Sequence, residues 1–218
     1  MSNIVVGQVE QYIRGLVPER AGLLKQIEEE ARAEGIPVVQ PEVGQLLLCL
    51  ARLRGARRVL EVGAATGYSA LWLAQGLGQE GTLTTIELDP ARARKARENF
   101  EQWFGGYAGP VTLLEGDAMQ ILPSLKGPFD MIFVDAAKGQ YPEFLRQVER
   151  LLAPGGVLVA DNVLFRGMVA RPEEDVERRY RTLVRRLREF LERLTGHPDW
   201  DTSVLPIGDG VALSYKRN

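Results

Sequence analysis

Two short acidic segments carry the side chains that are best suited to metal binding or catalysis. Asp135 follows one apolar run, with Lys138 three residues later, and Asp161 and Asn162 follow another. If both runs are neighbouring strands of a parallel sheet, these side chains converge at its carboxyl edge, where open α/β folds bind ligands. Two carboxylates and an amide oxygen form an all-oxygen set that suits Mg²⁺ or Ca²⁺ rather than zinc. A structural alternative remains, in which Asp135 caps a helix and Asp161 or Asn162 forms a turn.

The segment from 58 to 69 predicts a buried strand that runs into a glycine turn and then a helix. Gly63 and Gly67 have no Cβ, so the turn can approach a ligand closely, and the helix points its free N–H groups back at the turn. Glu87 ends the next apolar run, 20 residues after Gly67, where a nucleotide-binding α/β unit places the carboxylate that binds ribose hydroxyls. The pattern predicts a nucleoside-containing cofactor; the alternative is a structural turn without a ligand.

Alternating apolar runs predict the elements that position these residues. The predicted strands are 57–62, 82–87, 111–115, 129–134 and 156–160, and the predicted helices are 67–77, 90–103, 118–124, 141–151 and 173–195. This alternation predicts a mostly parallel sheet with helices on both faces. Runs 202–207 and 211–216 flank the turn signal Gly208-Asp209-Gly210 and predict an antiparallel hairpin at the sheet edge.

The first 55 residues predict helices rather than strands. One helix is expected over 19–34, with apolar residues at Ala21, Leu23, Leu24, Ile27 and Ala31 and a stop at Gly35, and another over 42–54. Cys49 lies in an apolar run of the second helix. We therefore expect it to be a small core residue.

Composition sets broad limits on the class of protein. The 218 residues are most simply one domain, and a single cysteine excludes an internal disulfide framework. The chain has neither a 20-residue apolar stretch nor a secretory leader, so we expect no membrane span and a cytoplasmic location. The net charge of −2 gives no overall attraction to nucleic acid.

The spacing Glu61-x-Gly63-x-x-x-Gly67 differs from the glycine motif of dinucleotide dehydrogenases. Instead, residues 38 to 216 resemble the class I S-adenosylmethionine-dependent methyltransferases. The resemblance implies that Glu61 contacts the methionine part of the cofactor, Glu87 the ribose, and Gly116-Asp117-Ala118 the adenine. The full set of cofactor-binding residues that it implies is Val38, Glu61, Gly63, Ala64, Gly67, Tyr68, Ser69, Glu87, Leu88, Gly116, Asp117, Ala118 and Asp135.

This family also implies the fold. We expect an α/β, Rossmann-like methyltransferase fold with a seven-stranded, mostly parallel sheet, an antiparallel C-terminal hairpin strand, helices on both faces and extra N-terminal helices. Residues 1–55 would form a helical cap that contributes to a homodimer, and residues 56–218 the cofactor-binding core. The homodimer is expected by resemblance alone.

The strand-end residues resemble those of the catechol and caffeoyl-coenzyme A type of metal-dependent O-methyltransferase. By that match, Asp135, Asp161 and Asn162 bind Mg²⁺ or another divalent cation, and Lys138 is the catalytic base. A metal that chelates two adjacent substrate oxygens would lower the pKa of the hydroxyl that receives the methyl group.

The segments 135–141 and 161–167 look closest to the bacterial tRNA 5-hydroxyuridine methyltransferases. This resemblance favours the anticodon stem-loop of tRNA as the partner, with 5-methoxyuridine as the product. The arginine-rich face of helix 173–195 would then contact phosphates; the alternative, which the balancing acidic residues favour, is an ordinary solvated surface. The alternatives are a small phenolic substrate, as for a catechol or caffeoyl-coenzyme A enzyme, and a cofactor-binding module without catalysis.

Overall fold

A seven-stranded mixed sheet forms the centre of the computed structural model, which describes residues 5–20 and 22–217. The strands are β1 (Arg58–Val62), β2 (Thr82–Glu87), β3 (Val111–Glu115), β4 (Phe129–Val134), β5 (Leu152–Ala160), β6 (Trp200–Leu205) and β7 (Val211–Lys216). Their order in the sheet is β3-β2-β1-β4-β5-β7-β6. Strands β1 to β5 pair in parallel, whereas β7 is antiparallel to both β5 and β6. The predicted fold class, including the terminal hairpin, is confirmed.

Helices cover both faces of this sheet. They are α1 (Gly7–Leu16), α2 (Leu23–Glu34), α3 (Pro41–Arg54), α4 (Tyr68–Gly76), α5 (Pro90–Phe104), α6 (Ala118–Ile121), α7 (Tyr141–Leu151) and α8 (Arg181–Thr195). Successive strand residues point to opposite faces, so Val59 joins a core with α3, α4 and α5 while Leu60 joins one with α7 and α8. In the described ranges, no helix is both long enough and apolar enough to cross a membrane.

The predicted helix 173–195 begins later than expected, at Arg181. Residues Glu173–Asp175 and Arg178–Tyr180 form separate 3-10 turns, and Val176 between them is extended. The apolar spacing misled the prediction because Val176 is buried against Met168 and Val184 in a small separate cluster. Val176 therefore has the sequence spacing of the apolar residues of the helix, although it lies outside the helix.

Several further boundaries and one core assignment were wrong. Helix α2 begins at Leu23 rather than at residue 19, and β5 begins at Leu152 rather than at residue 156. Strand β6 begins at the buried Trp200 and ends before Pro206, which has no N–H to donate to a ladder. Cys49 is exposed, because Val43, Leu47 and Ala51 set the buried face of α3 and Cys49 lies off that line. Residues 1–4, Ala21 and Asn218 lie outside the described part of the chain, so the expectation for Ala21 stays a prediction.

Helices α3 and α4 pack closely because two glycines lie between them. A Cβ on Gly44 would lie 2.5 Å from Trp72 Nε1, and a Cβ on Gly76 would lie 2.6 Å from Ala51 Cβ. Such separations are too short for a carbon atom, so either side chain would push the helices apart. This contact joins the N-terminal helices to the first helix of the core.

A Gly44→Ala substitution should therefore destabilise the protein by about 1–3 kcal/mol, because the added methyl group overlaps the Trp72 ring. Urea unfolding measures the effect. Gly15→Ala is the matched control, since nothing lies within 4 Å of a Cβ at that helical position and alanine favours a helix. Equal unfolding midpoints for the two variants would contradict the packing described for α3 and α4.

Candidate active site at the carboxyl ends of the strands

A cavity of about 340 Å³ opens at the carboxyl edge of the sheet. Its wall combines the segment before α3, the glycine turn after β1, the ends of β2 to β5 and the β6–β7 turn. The lining residues are Pro37, Val38, Val39, Gln40, Val62, Gly63, Ala64, Ala65, Tyr68, Ser69, Ile86, Glu87, Leu88, Arg92, Gly116, Asp117, Ala118, Asp135, Ala136, Ala137, Lys138, Gln140, Phe144, Asp161, Asn162, Gly208 and Asp209. All the residues predicted for the site line this cavity except Glu61 and Gly67.

The two glycines make room for protein atoms as well as for a ligand. A Cβ on Gly63 would lie 2.1 Å from the carbonyl oxygen of Asp135, and one on Gly67 would lie 2.6 Å from the ring of Phe100. Both residues have positive φ values, 102° and 86°, which glycine adopts readily. Their positions therefore depend first on the close approach of β4 and α5.

Glu61 lies beneath the cavity and is fully buried. Its Oε2 accepts a hydrogen bond of 2.5 Å from the Thr85 hydroxyl, whereas its Oε1 has no partner among the described residues. Burial raises the pKa of this carboxyl to about 7, although the hydroxyls of Ser69 and Thr85 partly offset the effect. A buried carboxylate with one unused oxygen is suited to a ligand that brings a positive charge or an N–H donor.

Glu87 holds the glycine turn and also faces the cavity. Its Oε2 accepts the N–H of Ala65 at 2.7 Å and its Oε1 accepts that of Asp89 at 2.9 Å. Each carboxylate oxygen can accept a second hydrogen bond. The same side chain can therefore fix the turn and bind ligand hydroxyls.

The third strand ends in a turn that closes the cavity on the far side of Glu87. Gly116 N–H donates to the Glu87 carbonyl at 2.8 Å, and Asp117 Oδ1 accepts the Met119 N–H at 2.9 Å. Leu88 lies on the rim with 67% of its surface exposed. An exposed leucine at a cavity mouth provides an apolar surface for a flat ring.

Asp135 and Asp161 lie side by side, as the sequence predicted. Val134 and Ala160 are register partners in β4 and β5, and the Asp161 N–H donates to the Val134 carbonyl at 3.0 Å. Asp161 is buried, with only 2% of its surface exposed, and its carbonyl accepts a hydrogen bond of 2.8 Å from the Tyr141 hydroxyl. The two carboxyl groups are thus held together at the edge of the sheet.

The electrostatics of this pair favour an added cation. Burial raises the pKa of Asp161 well above its ordinary value, and the neighbouring charge of Asp135 raises it further. Burial also raises the pKa of Asp135, against the opposing charge of Lys138. Lys138 Nζ lies 3.6 Å from Asp135 Oδ1, so one lysine partly balances two acids.

Asn162 completes the predicted oxygen set. Its φ of 56° is unusual for a residue other than glycine, and its N–H donates to Asp161 Oδ1 at 2.6 Å. Asparagine tolerates this conformation better than most residues. Over residues 5–20 and 22–217, no group of three or more His, Cys, Asp or Glu side chains is placed to hold a metal ion, so a metal here would depend on two carboxylates and an amide.

Sequence reasoning missed Asp209, which lies in the β6–β7 turn. Its Oδ1 accepts the N–H of Arg166 at 2.5 Å, and its side chain lines the cavity near Asp161. Burial raises its pKa. The signal was available, because an antiparallel partner for the fifth strand must begin beside that strand's carboxyl end.

The sheet order and the strand-end cavity define an α/β cofactor-binding protein, and the comparisons identify its family. The chain belongs to the O-methyltransferase family, whose model matches residues 18–217. It is 35% identical to a catechol O-methyltransferase of Niastella koreensis over the whole of both chains. It is also 35% identical to a catechol O-methyltransferase of Mycobacterium tuberculosis, over 82% of this chain and 80% of that one.

Solved structures agree with this assignment. The O-methyltransferase TomG of Streptomyces achromogenes, in complex with S-adenosylmethionine, has a TM-score of 0.84 and 34% identity, covering 97% of this chain and 96% of that one. An O-methyltransferase of Bacillus cereus, in complex with S-adenosylhomocysteine, has a TM-score of 0.84 and 28% identity, covering 96% and 97%. The resemblance to class I S-adenosylmethionine-dependent O-methyltransferases is confirmed at the level of the family.

The raised pKa of Glu61 predicts a pH-dependent loss of stability in the ligand-free protein. In the unfolded chain this carboxyl loses its proton near its ordinary value of 4.5, whereas the buried group keeps its proton until about 7. Stability is therefore lost as the pH rises between these two values. Glu61→Gln, which cannot ionise, should gain about 2–3 kcal/mol relative to the wild type between about pH 5 and about pH 8.

Urea unfolding of both proteins at the two pH values measures this difference. Both proteins retain Asp135 and Asp161, so the difference reports Glu61 together with its electrostatic coupling to Asp135. A difference between variant and wild type that stays constant from the lower to the higher pH would show that Glu61 is not a buried acid of raised pKa.

Proposed function

We propose that the protein transfers a methyl group from S-adenosylmethionine to one hydroxyl of a small aromatic molecule with two adjacent hydroxyls, with a divalent cation such as Mg²⁺. The observation that carries the proposal is that Asp135, Asp161, Asn162 and Lys138 share one cavity with the glycine turn and Glu87. A cofactor site and an oxygen-rich acceptor site are therefore adjacent. The catechol O-methyltransferases among the relatives support the acceptor class.

Partners for each part of the cofactor line the cavity or, in the case of Glu61, lie buried outside its lining. The unpartnered Oε1 of Glu61 suits an ammonium group, Glu87 suits the ribose hydroxyls, and the exposed Leu88 suits the adenine ring. When bound, S-adenosylmethionine supplies an electrophilic methyl group on a sulfonium. The binding set that we propose is Val38, Glu61, Gly63, Ala64, Gly67, Tyr68, Ser69, Glu87, Leu88, Gly116, Asp117, Ala118 and Asp135, with Gly67 acting through the turn.

Asp135, Asp161 and Asn162 fit a hard divalent cation because all three offer oxygen. The raised pKa values of the two acids show that the protein alone does not compensate their charge. When bound, such a cation would hold two adjacent oxygens of the acceptor and lower the pKa of the hydroxyl. The apolar wall beside this set, including Phe144, would pack against an aromatic ring.

Lys138 is the residue that we propose as the base. Its Nζ lies at the acid cluster, 3.6 Å from Asp135 Oδ1, and its side chain lines the cavity. A hydroxyl held beside the two acids would be within reach of Nζ, and Lys138 in its neutral amine form would accept the proton. The fixed cofactor and acceptor sites then align the oxygen with the methyl group, and such alignment accounts for much of the rate.

The tRNA hypothesis has weaker support, because much of the arginine-rich face is bonded within the protein. Arg181 donates to the Val176 carbonyl, Arg188 to the Val169 carbonyl, and Arg186 to the Gly139 carbonyl. These bonds hold the side chains against the protein and leave fewer N–H donors for a phosphate backbone. We therefore favour the small phenolic acceptor over the anticodon stem-loop.

The organisation of the whole chain also stays a proposal. We retain a single methyltransferase domain in which residues 1–55 act as a helical cap, since α3 packs on α4. We also retain the homodimer, supported by exposed apolar residues on α1 such as Tyr12 and Leu16 that a second copy would cover. The cytoplasmic location remains an expectation from the sequence.

Purified protein with labelled S-adenosylmethionine and Mg²⁺ should methylate catechol or caffeoyl-coenzyme A, because these carry adjacent hydroxyls. Transfer of label to each acceptor, and to tRNA bearing 5-hydroxyuridine, is the measurement. Label found on tRNA alone, with nucleoside analysis showing 5-methoxyuridine, would overturn the proposed acceptor class. It would leave the family assignment intact.

The Lys138→Ala variant separates an effect on the chemical step from an effect on cofactor binding. Loss of a positioned base should lower kcat by about 10²–10⁴-fold, while calorimetry should show unchanged binding of S-adenosylhomocysteine. A Lys138→Ala variant that kept the wild-type kcat would remove Lys138 from the proton transfer.

A further inference from the structure

The turn that carries Lys138 is closed by two backbone hydrogen bonds, from the Gln140 N–H to the Ala137 carbonyl at 2.8 Å and from the Tyr141 N–H to the Lys138 carbonyl. Residues Lys138–Gln140 form a single 3-10 turn between β4 and α7, and a Cβ on Gly139 would meet nothing within 4 Å. The bond between Lys138 and Asp135 is a loose one at 3.6 Å. The backbone bonds hold the turn, but among the described residues only this long ion pair holds the lysine side chain, so a restraint from outside the turn can add to its positioning.

Arg186 of α8 provides such a restraint. Its Nε donates to the carbonyl oxygen of Gly139 at 3.1 Å, in the residue directly after Lys138. The two ends of its guanidinium bind carboxylates: Nη2 pairs with Glu143 in the first turn of α7, and Nη1 pairs with Glu189 at 3.0 Å. Two of these nitrogen atoms thus connect α8 to the turn and to the start of α7, whereas Nη1 bonds to a residue of α8 itself.

This arrangement requires an arginine. A guanidinium is planar and presents its donors in a fixed fork, whereas a lysine has one nitrogen at the end of a flexible chain. The hydrogen bond and charge of Arg186 hold the pKa of Glu143 below its ordinary value, so the pair stays ionised near neutral pH. The restraint is therefore permanent under ordinary conditions.

The geometry points to Arg186 as a positioning residue for Lys138, which gives one part of the arginine-rich face a role in a small-molecule reaction. This inference rests on the proposed function, in which Lys138 accepts the proton. Among the described residues, Arg186 does not line the cavity and forms no hydrogen bond to Lys138; it acts through the backbone of Gly139. It fixes where the lysine nitrogen lies relative to the acid cluster.

Arg188 offers a closely matched control on the same helix. Its Nε donates to the Val169 carbonyl at 3.0 Å, and its Nη2 donates to the Arg171 carbonyl. Like Arg186, it connects α8 to a neighbouring segment through backbone carbonyl oxygens. Among the described residues, no backbone hydrogen bond joins that segment to the turn of Lys138, so loss of Arg188 should affect packing without moving the lysine.

The test compares Arg186→Ala, Arg186→Lys and Arg188→Ala in steady-state kinetics. Both Arg186 variants should lower kcat by about 10–100-fold, with the KM of each substrate changed less than about threefold, because misplacement affects the transition state more than binding. Arg188→Ala should keep the wild-type kcat. Equal losses in Arg186→Ala and Arg188→Ala, or full activity in Arg186→Lys, would overturn the inference.

A second readout does not depend on activity. The chain has five lysines, so ¹³C-dimethylation of the lysine amines gives few resonances in an NMR spectrum. The resonance that is missing in Lys138→Arg is the one from Lys138. That resonance should shift in Arg186→Ala and stay in place in Arg188→Ala. If the wild type methylates none of the acceptors tested, the proposed function fails while a shift still supports the positioning role; an unmoved resonance overturns that role.

Discussion

The site depends on how closely the carboxyl ends of β1 and β4 approach each other. The carbonyl oxygen of Asp135 lies where a side chain on Gly63 would begin, 2.1 Å from an ideal Cβ. The Asp135 N–H is also bound to the Val62 carbonyl at 2.9 Å. This contact places the glycine turn, which faces the cofactor part of the cavity, directly against the strand end that carries the acid cluster. A larger residue at position 63 would separate the two halves of the site.

The parallel sheet then gathers acidic side chains that would repel one another elsewhere. Glu61, Asp135 and Asp161 all have pKa values raised by burial, and each feels the charge of a neighbour. Such a cluster costs stability in the free protein, so the fold alone gives no reason to keep it. The ligands that we propose, an ammonium group at Glu61 and a divalent cation at the two aspartates, would bring positive charge and provide that reason.

Much of this arrangement could be predicted from the sequence, because strand ends are local features. Apolar runs ending in Glu87, Asp135 and Asp161 locate the site once the sheet is known to be parallel. The exposure of Cys49 could not be predicted, since the buried face of α3 is set by its contacts with α4 and the sheet. Nor could the start of α8, because Val176 has a helical spacing but packs in a separate cluster.

Long-range contacts also could not be predicted from the sequence. The bond from Arg186 to the Gly139 carbonyl joins residues 47 positions apart, and nothing in the local pattern of arginines distinguishes it from a phosphate-binding or solvated residue. Asp209 reaches the site only because β7 lies beside β5. In both cases the sequence shows the chemical type of the side chain, whereas tertiary packing determines which residue it contacts.

The most direct test of the paired acids as a cation site is Mn²⁺ binding to the cofactor-free protein, followed by electron paramagnetic resonance. The account predicts one bound ion per chain, lost in Asp161→Asn and retained in Asp209→Asn, which keeps the oxygen bonded to Arg166. Absence of binding in the wild type, or binding that survives Asp161→Asn, would contradict the assignment of Asp135, Asp161 and Asn162 as the metal site.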